Sequence, residues 1–371
     1  QGWERPGWFS TDGTAAIYDH SFNRPSWFHH MLDEQRAVYE MAGLIDYSML
    51  GKLKVEGRDA LSFLQRACTN DMALPVGKVV YTLMLNERGG IESDVTVARH
   101  GPTSFMVMSA ISHTRRDRNH LQKLIQPGED VYLRDETTAY AVLALCGPKS
   151  RDILACVCDL DLSNSAFPFS SLQHFHIGHA PVFAQRLSYT GELGWEIFIT
   201  PDFAEYVFEC LMEAGIPRGL RLVGAEALNA LRIGAGFVHW GHDMAYTEAP
   251  HQIGLNFICK TEKSVPFLGR ESYLERKAEA KGPFLLSIIL KDPEALLHHN
   301  EPVLRDGKIV GFVTSGAYSV KAGSSIGLCM ISLPFGHTRT EYLTGNYTVL
   351  IEGREISAEP NKTPISVNRS N

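Results

Sequence analysis

No stretch of this chain is apolar for long enough to cross a membrane as a helix. Basic runs are also missing. Acids outnumber bases 42 to 35, a formal net charge of -7, which argues against a nucleic-acid or anionic-membrane partner. The opening "QGWERPGWFSTDG" has no charged region followed by an apolar core, so no secretory signal is read there. The expected setting is intracellular, either cytoplasm or mitochondrial matrix. Cysteine is sparse. The seven, Cys68, Cys146, Cys156, Cys158, Cys210, Cys259 and Cys329, are scattered and odd in number, as expected of reduced thiols rather than a disulfide framework.

Several catalytic signatures are missing too. There is no P-loop and no Gly-x-Ser-x-Gly elbow. The "GAG" at 234–236 does not open a helix as a GxGxxG fingerprint would. "HFHIGH" (His174, His176, His179) and "HWGHD" (His239, His242, Asp243) match neither HExxH nor a Cys/His finger. Cys156-Val-Cys158 has no second pair. No metal site is expected.

What is present has the balance of a soluble globular protein, with 44% hydrophobic and 21% charged residues over 371, and suggests two or three domains. The aromatic, Pro-rich start reads as a segment docked on a surface and continuing something upstream. Helical spacing predicts a helix near 31–43, with Gly43 at its end. "GKLKVEG" (51–57) predicts a strand and 58–68 a helix. Residues 80–100 form a strong hairpin signal around Asn86–Gly90. A strand near 104–109, a helix near 113–125, a β region at 130–145, a helix from Gly147-Pro148, a hairpin over 181–199 and helices near 203–214 and 224–235 follow. After Gly282, short strands alternate with Gly-rich turns, predicting a separate all-β module. The final "PNKTPISVNRSN" reads as a loose tail, and the sequons at Asn346, Asn361 and Asn368 as chance.

Asp94, in "GGIESDVTV", is an unusual strand residue. It either caps a strand edge or points a partly desolvated carboxylate into a cavity, as a base or cation holder. Glu196 stands between Trp195 and Ile197. It either faces outward or accepts two hydrogen bonds from a planar N–H pair of a ligand. Tyr189 lies on the opposite arm of that hairpin, close to it if the turn spans Gly191–Gly194, and Glu192 in the turn reads as solvated. Arg232 is either a surface arginine or half of a buried ion pair.

"YTLMLNERGGIESDVTVAR", "LSYTGELGWEI", "ALRIGAGFVHWGHDM", "PFLGRESY" and "VGFVTSGAYS" together resemble, in this order, the tetrahydrofolate-binding aminomethyltransferase family, whose best-known member is the glycine cleavage T-protein. The likeness covers essentially the whole chain. "GWERPGWF" and "DLSNSAFPFS" are similar to the sarcosine and dimethylglycine dehydrogenase branch, where such a part follows an FAD domain. The resemblance implies an α+β, three-part cloverleaf: a ferredoxin-like part (1–50 and 138–217), a folate-binding α/β part (51–137 and 218–281) and a C-terminal β-barrel or jelly-roll module (282–371), around a central folate cavity.

It also implies roles. Asp94 matches the acid beside folate N5 and N10. Tyr81, Tyr189, Glu196, Arg232 and Trp240 match the cofactor site, with Arg232 as an ion-pair partner of Glu196. The implied cofactor is tetrahydrofolate, with FAD only from a further segment or partner subunit. The implied donor is a small methylated amine or imine, and the product 5,10-methylenetetrahydrofolate. A non-catalytic regulatory relative and a folate-dependent O- or S-demethylase are the alternatives. Two family acids are replaced, one by Gln252 in Pro250-His251-Gln252-Ile253-Gly254 and one by Gly234.

Overall fold

The computed structural model describes residues 3–18, 23–110, 112–279, 281–334 and 340–361. Of the expected loose tail over 360–371, Pro360 and Asn361 instead end the last strand, Arg354–Asn361, and 362–371, with Asn368, lie outside the described residues. Helix α1 (Phe28–Glu40) buries Phe28, Met31 and Val38. It stops earlier than the expected 43 because the chain leaves helical geometry at Met41 and enters strand β1 (Ala42–Asp46). Gly43 is therefore a strand residue, not a helix end. A Cβ on it would come 2.5 Å from Val38 and 2.7 Å from Val223, so its lack of a side chain lets α1 close on the sheet.

The chain then builds β2 (Gly51–Glu56), α2 (Ala60–Ala67), β3 (Val79–Leu85), β4 (Ile91–Gly101), β5 (Ser104–Ser109), α3 (Thr114–Leu124) and β6 (Tyr132–Asp135). The five strands form one antiparallel sheet in the order β3-β4-β5-β2-β6. One face buries Leu53, Val55, Val95 and Phe105 against Phe63 and Leu64 of α2 and Leu121 of α3.

Next come β7 (Ala141–Cys146), α4 (Ser150–Leu154), β8 (Leu172–Ile177), β9 (Ala180–Gln185), β10 (Gly194–Ile199), α5 (Ala204–Gly215) and β11 (Leu220–Leu222). With β1 they make a six-stranded sheet, β11-β1-β7-β10-β9-β8. The β region expected over 130–145 is thus two strands in different sheets, parted by a 3-10 turn at Thr137–Ala139. The apolar run alone could not reveal that switch. The 181–199 hairpin is present as β9 and β10, but its arms end at Gln185 and resume at Gly194. Tyr189 lies in the long connection, not on an arm.

Helix α6 (Ala225–Gly234) is the pivot. Its Ala227, Leu228 and Leu231 join a core shared by both sheets, including Met106, Met108, Val142 and Phe198. Its Ile233 joins a second core with Leu83 and Leu85 of β3 and with Ile326 and Leu328 of the last module. After α7 (Arg270–Glu279), strands β12 (Phe284–Leu290), β13 (Pro302–Arg305), β14 (Lys308–Ser319), β15 (Ser324–Ile331), β16 (Tyr347–Ile351) and β17 (Arg354–Asn361) close a six-stranded barrel. Closure leaves no free edge to recruit another chain. The fold is α+β with a C-terminal barrel, as expected. No helix among the described residues is long and apolar enough to cross a membrane, and all seven cysteines are free.

Candidate functional site

Asp94 sits on β4, paired opposite Leu83 of β3. Strand β4 lies inside its sheet, so Asp94 caps no edge. Ser93 and Val95, its neighbours, are buried on the other face. The hydroxyl of Tyr81, also on β3, donates to Asp94 Oδ2 at 2.9 Å. Burial pushes the Asp94 carboxyl up to about 6, against the pull of the Tyr81 hydrogen bond and the nearby Arg116 charge.

Glu196 sits on β10, opposite Ala144 and Gln185. Among the described residues none hydrogen-bonds to its carboxylate. Burial is the only cause that pushes it up to about 7. A carboxylate at such depth without a partner is costly. Yet Glu196, Asp94, Tyr81 and Tyr189 each keep some accessible surface. The hydroxyl of Tyr47, after β1, is buried with no hydrogen bond. Burial raises that phenol well above its ordinary value, and the Glu196 charge adds to the effect.

These groups sense one another. Burial first raises Tyr189, with Arg232 opposing and Asp94 and Asp243 adding. Tyr81 is raised by burial and by Asp94, and Tyr189 contributes. Tyr47 senses both Glu196 and Tyr189. These influences run Glu196–Tyr47–Tyr189–Tyr81–Asp94, from the six-stranded sheet to the five-stranded one.

Arg232 departs from expectation. Its Nη1 contacts Asp243 Oδ2 at 2.5 Å, both side chains being almost wholly buried. Its Nε donates to Asn229 Oδ1, Nη1 also to Phe237 O, and Nη2 to Ser315 Oγ of the barrel. The ion pair is real, but its acid is Asp243 and not Glu196. Asp243 also accepts from His239 N and from the Thr314 hydroxyl. Between these anchors runs Val238, whose carbonyl takes the Tyr189 hydroxyl at 2.7 Å. Arg232 and Asp243 therefore hold the loop that holds Tyr189, whose ring also stacks on Phe237.

Trp240 donates to Ile91 O at 2.9 Å. Arg116 lies over its ring at 3.6 Å and His113 meets its edge at 4.4 Å. Glu192, read as solvated, instead pairs with Lys321 Nζ at 3.0 Å and is only 5% exposed, because the barrel folds back over the turn. Gln252 does a structural job. Its Oε1 accepts from Ala249 N at 2.8 Å and from Arg276 Nη2 at 3.1 Å, a role any acceptor oxygen fills. Tyr47, Arg116 and Asp243 were missed. Asp243 had a signal, as an acid eleven residues after Arg232 in a Gly-rich turn, but was considered only as a metal ligand.

The chain matches the model of the GCVT N-terminal domain over residues 1–263 and that of the glycine cleavage T-protein C-terminal barrel domain over 285–366. It belongs to that family, the folate-dependent aminomethyltransferases, transferases of one-carbon groups. An aminomethyltransferase of Clostridium botulinum is 31% identical over 86% of this chain and 86% of its own length. The 4-methylaminobutanoate oxidase (formaldehyde-forming) of Paenarthrobacter nicotinovorans is 34% identical over 98% of this chain. The mitochondrial dimethylglycine dehydrogenase of Rattus norvegicus is 31% identical, again over 98%. The chain spans only 43% of the length of each of these last two. The glycine cleavage system aminomethyltransferase T of Bartonella henselae has the same fold, with TM-score 0.79, 24% identity, and 91% and 90% of the two chains covered.

Proposed function

We propose that the two sheets enclose a central hollow that takes tetrahydrofolate and that the chain passes a one-carbon unit to it, giving 5,10-methylenetetrahydrofolate and the demethylated amine from an imine made by oxidising sarcosine or dimethylglycine. The observation that supports this reading is a pair of strongly desolvated carboxylates, Asp94 on the five-stranded sheet and Glu196 on the six-stranded one, the second with no hydrogen-bond partner among the described residues. That orphaned acid fits a ligand edge offering two N–H donors, as a 2-aminopyrimidinone does. Tetrahydrofolate supplies the two amines that capture the carbon.

The chain supplies the rest. Glu196 accepts from the ring edge, and Tyr189 lines it from the loop braced by Arg232. Trp240 and Tyr81 complete the wall. Asp94, held by the Tyr81 hydroxyl, stabilises positive charge growing on the attacking amine and takes its proton. A carboxyl at about 6 is mostly ionised at neutral pH and basic enough for that task. The walls keep an electrophilic carbon from water, which would release it as formaldehyde.

The relatives named above bear on the donor, since dimethylglycine and 4-methylaminobutanoate are both N-methylated amino acids. Oxidation of such a donor requires FAD from a further segment or a partner subunit. We place the three parts at 1–50 with 138–222, 51–137 with 223–281, and 282–371, the first running past 217 because β11 pairs with β1, and the protein in the cytoplasm or mitochondrial matrix.

Titration calorimetry with tetrahydrofolate tests binding, and Asp94→Asn tests chemistry. The variant is expected to bind within a few-fold of wild type and to transfer about 10²–10⁴ times more slowly. In the wild type, transfer falls as pH drops through about 6, and the variant lacks that limb. Binding without any transfer to tetrahydrofolate, when a flavoprotein supplies the imine, would favour the regulatory alternative.

A further inference from the structure

We infer that Asp12, His29 and His30 form a binding site for a divalent transition ion of the zinc class, remote in sequence from every residue assigned above. Their donor atoms all lie within 4.8 Å of one another, the one such trio among the described residues. His29 Nε2 is 3.1 Å from Asp12 Oδ2, and His30 Nε2 is 3.1 Å from Asp12 Oδ1. Zinc takes imidazole and carboxylate ligands at roughly 2.0–2.2 Å, so neighbouring donors around a tetrahedral ion stand about 3.3 Å apart. The observed spacings match that figure. Two imidazoles with one carboxylate is also the donor set such ions select over calcium or magnesium.

Three further observations point the same way. His30 is 2% exposed, and its Nε2 has no hydrogen bond despite its proximity to Asp12. A buried ring nitrogen aimed at a carboxylate without hydrogen-bond geometry leaves a lone pair or proton unsatisfied. Second, the two imidazoles are consecutive at the start of α1, where successive side chains normally diverge. Their rings instead converge to 3.9 Å. Third, the carboxylate is already oriented. Asp12 Oδ1 accepts from Thr14 N at 3.0 Å, Thr14 Oγ1 at 2.6 Å and Ser10 Oγ at 3.3 Å. Such outer partners fix ligand geometry in metal sites.

The half-exposed His29 and Asp12 leave a path for the ion and an open position for water. The consequence is mechanical. Asp12 belongs to the N-terminal segment and the histidines to α1, so the ion staples one to the other.

The full chain, stripped with chelator, is titrated with Zn²⁺ by calorimetry, with Mg²⁺ as comparison. One equivalent of Zn²⁺ is expected to bind and to raise the thermal midpoint, and Mg²⁺ to do neither. His29→Ala and Asp12→Asn should each weaken Zn²⁺ at least about tenfold and abolish the thermal shift. Both side chains are about half exposed, so folding should survive, as an unchanged tetrahydrofolate affinity would verify. His30→Gln, which fills the same buried space, should weaken Zn²⁺ equally. No binding to the wild type, or unchanged affinity in either of the first two variants, overturns the site. The second outcome assigns binding to histidines elsewhere.

Discussion

Glu196 shows how a single residue can oppose the stability of the fold that carries it. Its folded carboxyl titrates at about 7 against an ordinary 4.5, through burial alone. Between those values the folded chain holds a proton that the unfolded chain has lost. Stability therefore falls as pH rises through that window, and the cost is complete above it. Glu196→Gln removes the titration. Relative to wild type, the variant should gain about 1–3 kcal/mol between pH 5 and pH 8, allowing for partial solvent access. Urea unfolding at both pH values measures this. An identical difference at both would mean that Glu196 is not the desolvated acid described. The same variant should bind tetrahydrofolate at least tenfold more weakly, since an amide cannot accept two N–H groups with one charge.

Among the elements, α6 and the loop after it carry the most coupling. The Arg232–Asp243 pair joins the helix to the loop, and Ser315 and Thr314 of β14 join both to the barrel. A buried pair adds little net stability over apolar residues, but removing one partner strands the other charge. Asp243→Ala should cost about 3–5 kcal/mol, seen as a lower denaturant midpoint at unchanged slope. It should also loosen Val238, the acceptor of Tyr189, and weaken folate binding although Asp243 does not bond to Tyr189 itself. A loss below about 1 kcal/mol would show that the pair is not bracing the loop. The hairpin motifs of β3–β4 and the helix of α6 were legible because each is set by local period and turn chemistry. The partner of Arg232 was not: the sequence reading pairs it with Glu196, and only packing brings Asp243 to it.

At the scale of the whole molecule, the N-terminal segment is part of the assembly. Pro6 O and Gly7 O accept from Ala225 N and Glu226 N at the start of α6, satisfying helix N–H groups that would otherwise lack partners. Glu34 of α1 accepts from Phe9 N and Gly224 N, and Trp8 stacks on Trp27 at 5.2 Å. Gly224 permits this contact, since a Cβ there would lie 2.1 Å from Gly7 O. Gly224→Ala should therefore displace the segment, at about 1–3 kcal/mol. Faster proteolysis within residues 3–18 and altered tryptophan fluorescence would report it, with folate affinity nearly unchanged. Proteolysis at the wild-type rate would contradict the docking.

By itself the sequence determined the all-β module after residue 282 and most helices and hairpins, because these follow from periodicity and turn residues, while the α+β class came with the family resemblance that its short motifs carry. Tertiary structure alone decided that β6 and β7 part into different sheets, that Glu192 is covered by Lys321, that Arg232 answers Asp243, and that Asp12 meets two histidines. Each of those depends on bringing together segments distant along the chain, and the free energy of a buried charge is set by what surrounds it in space.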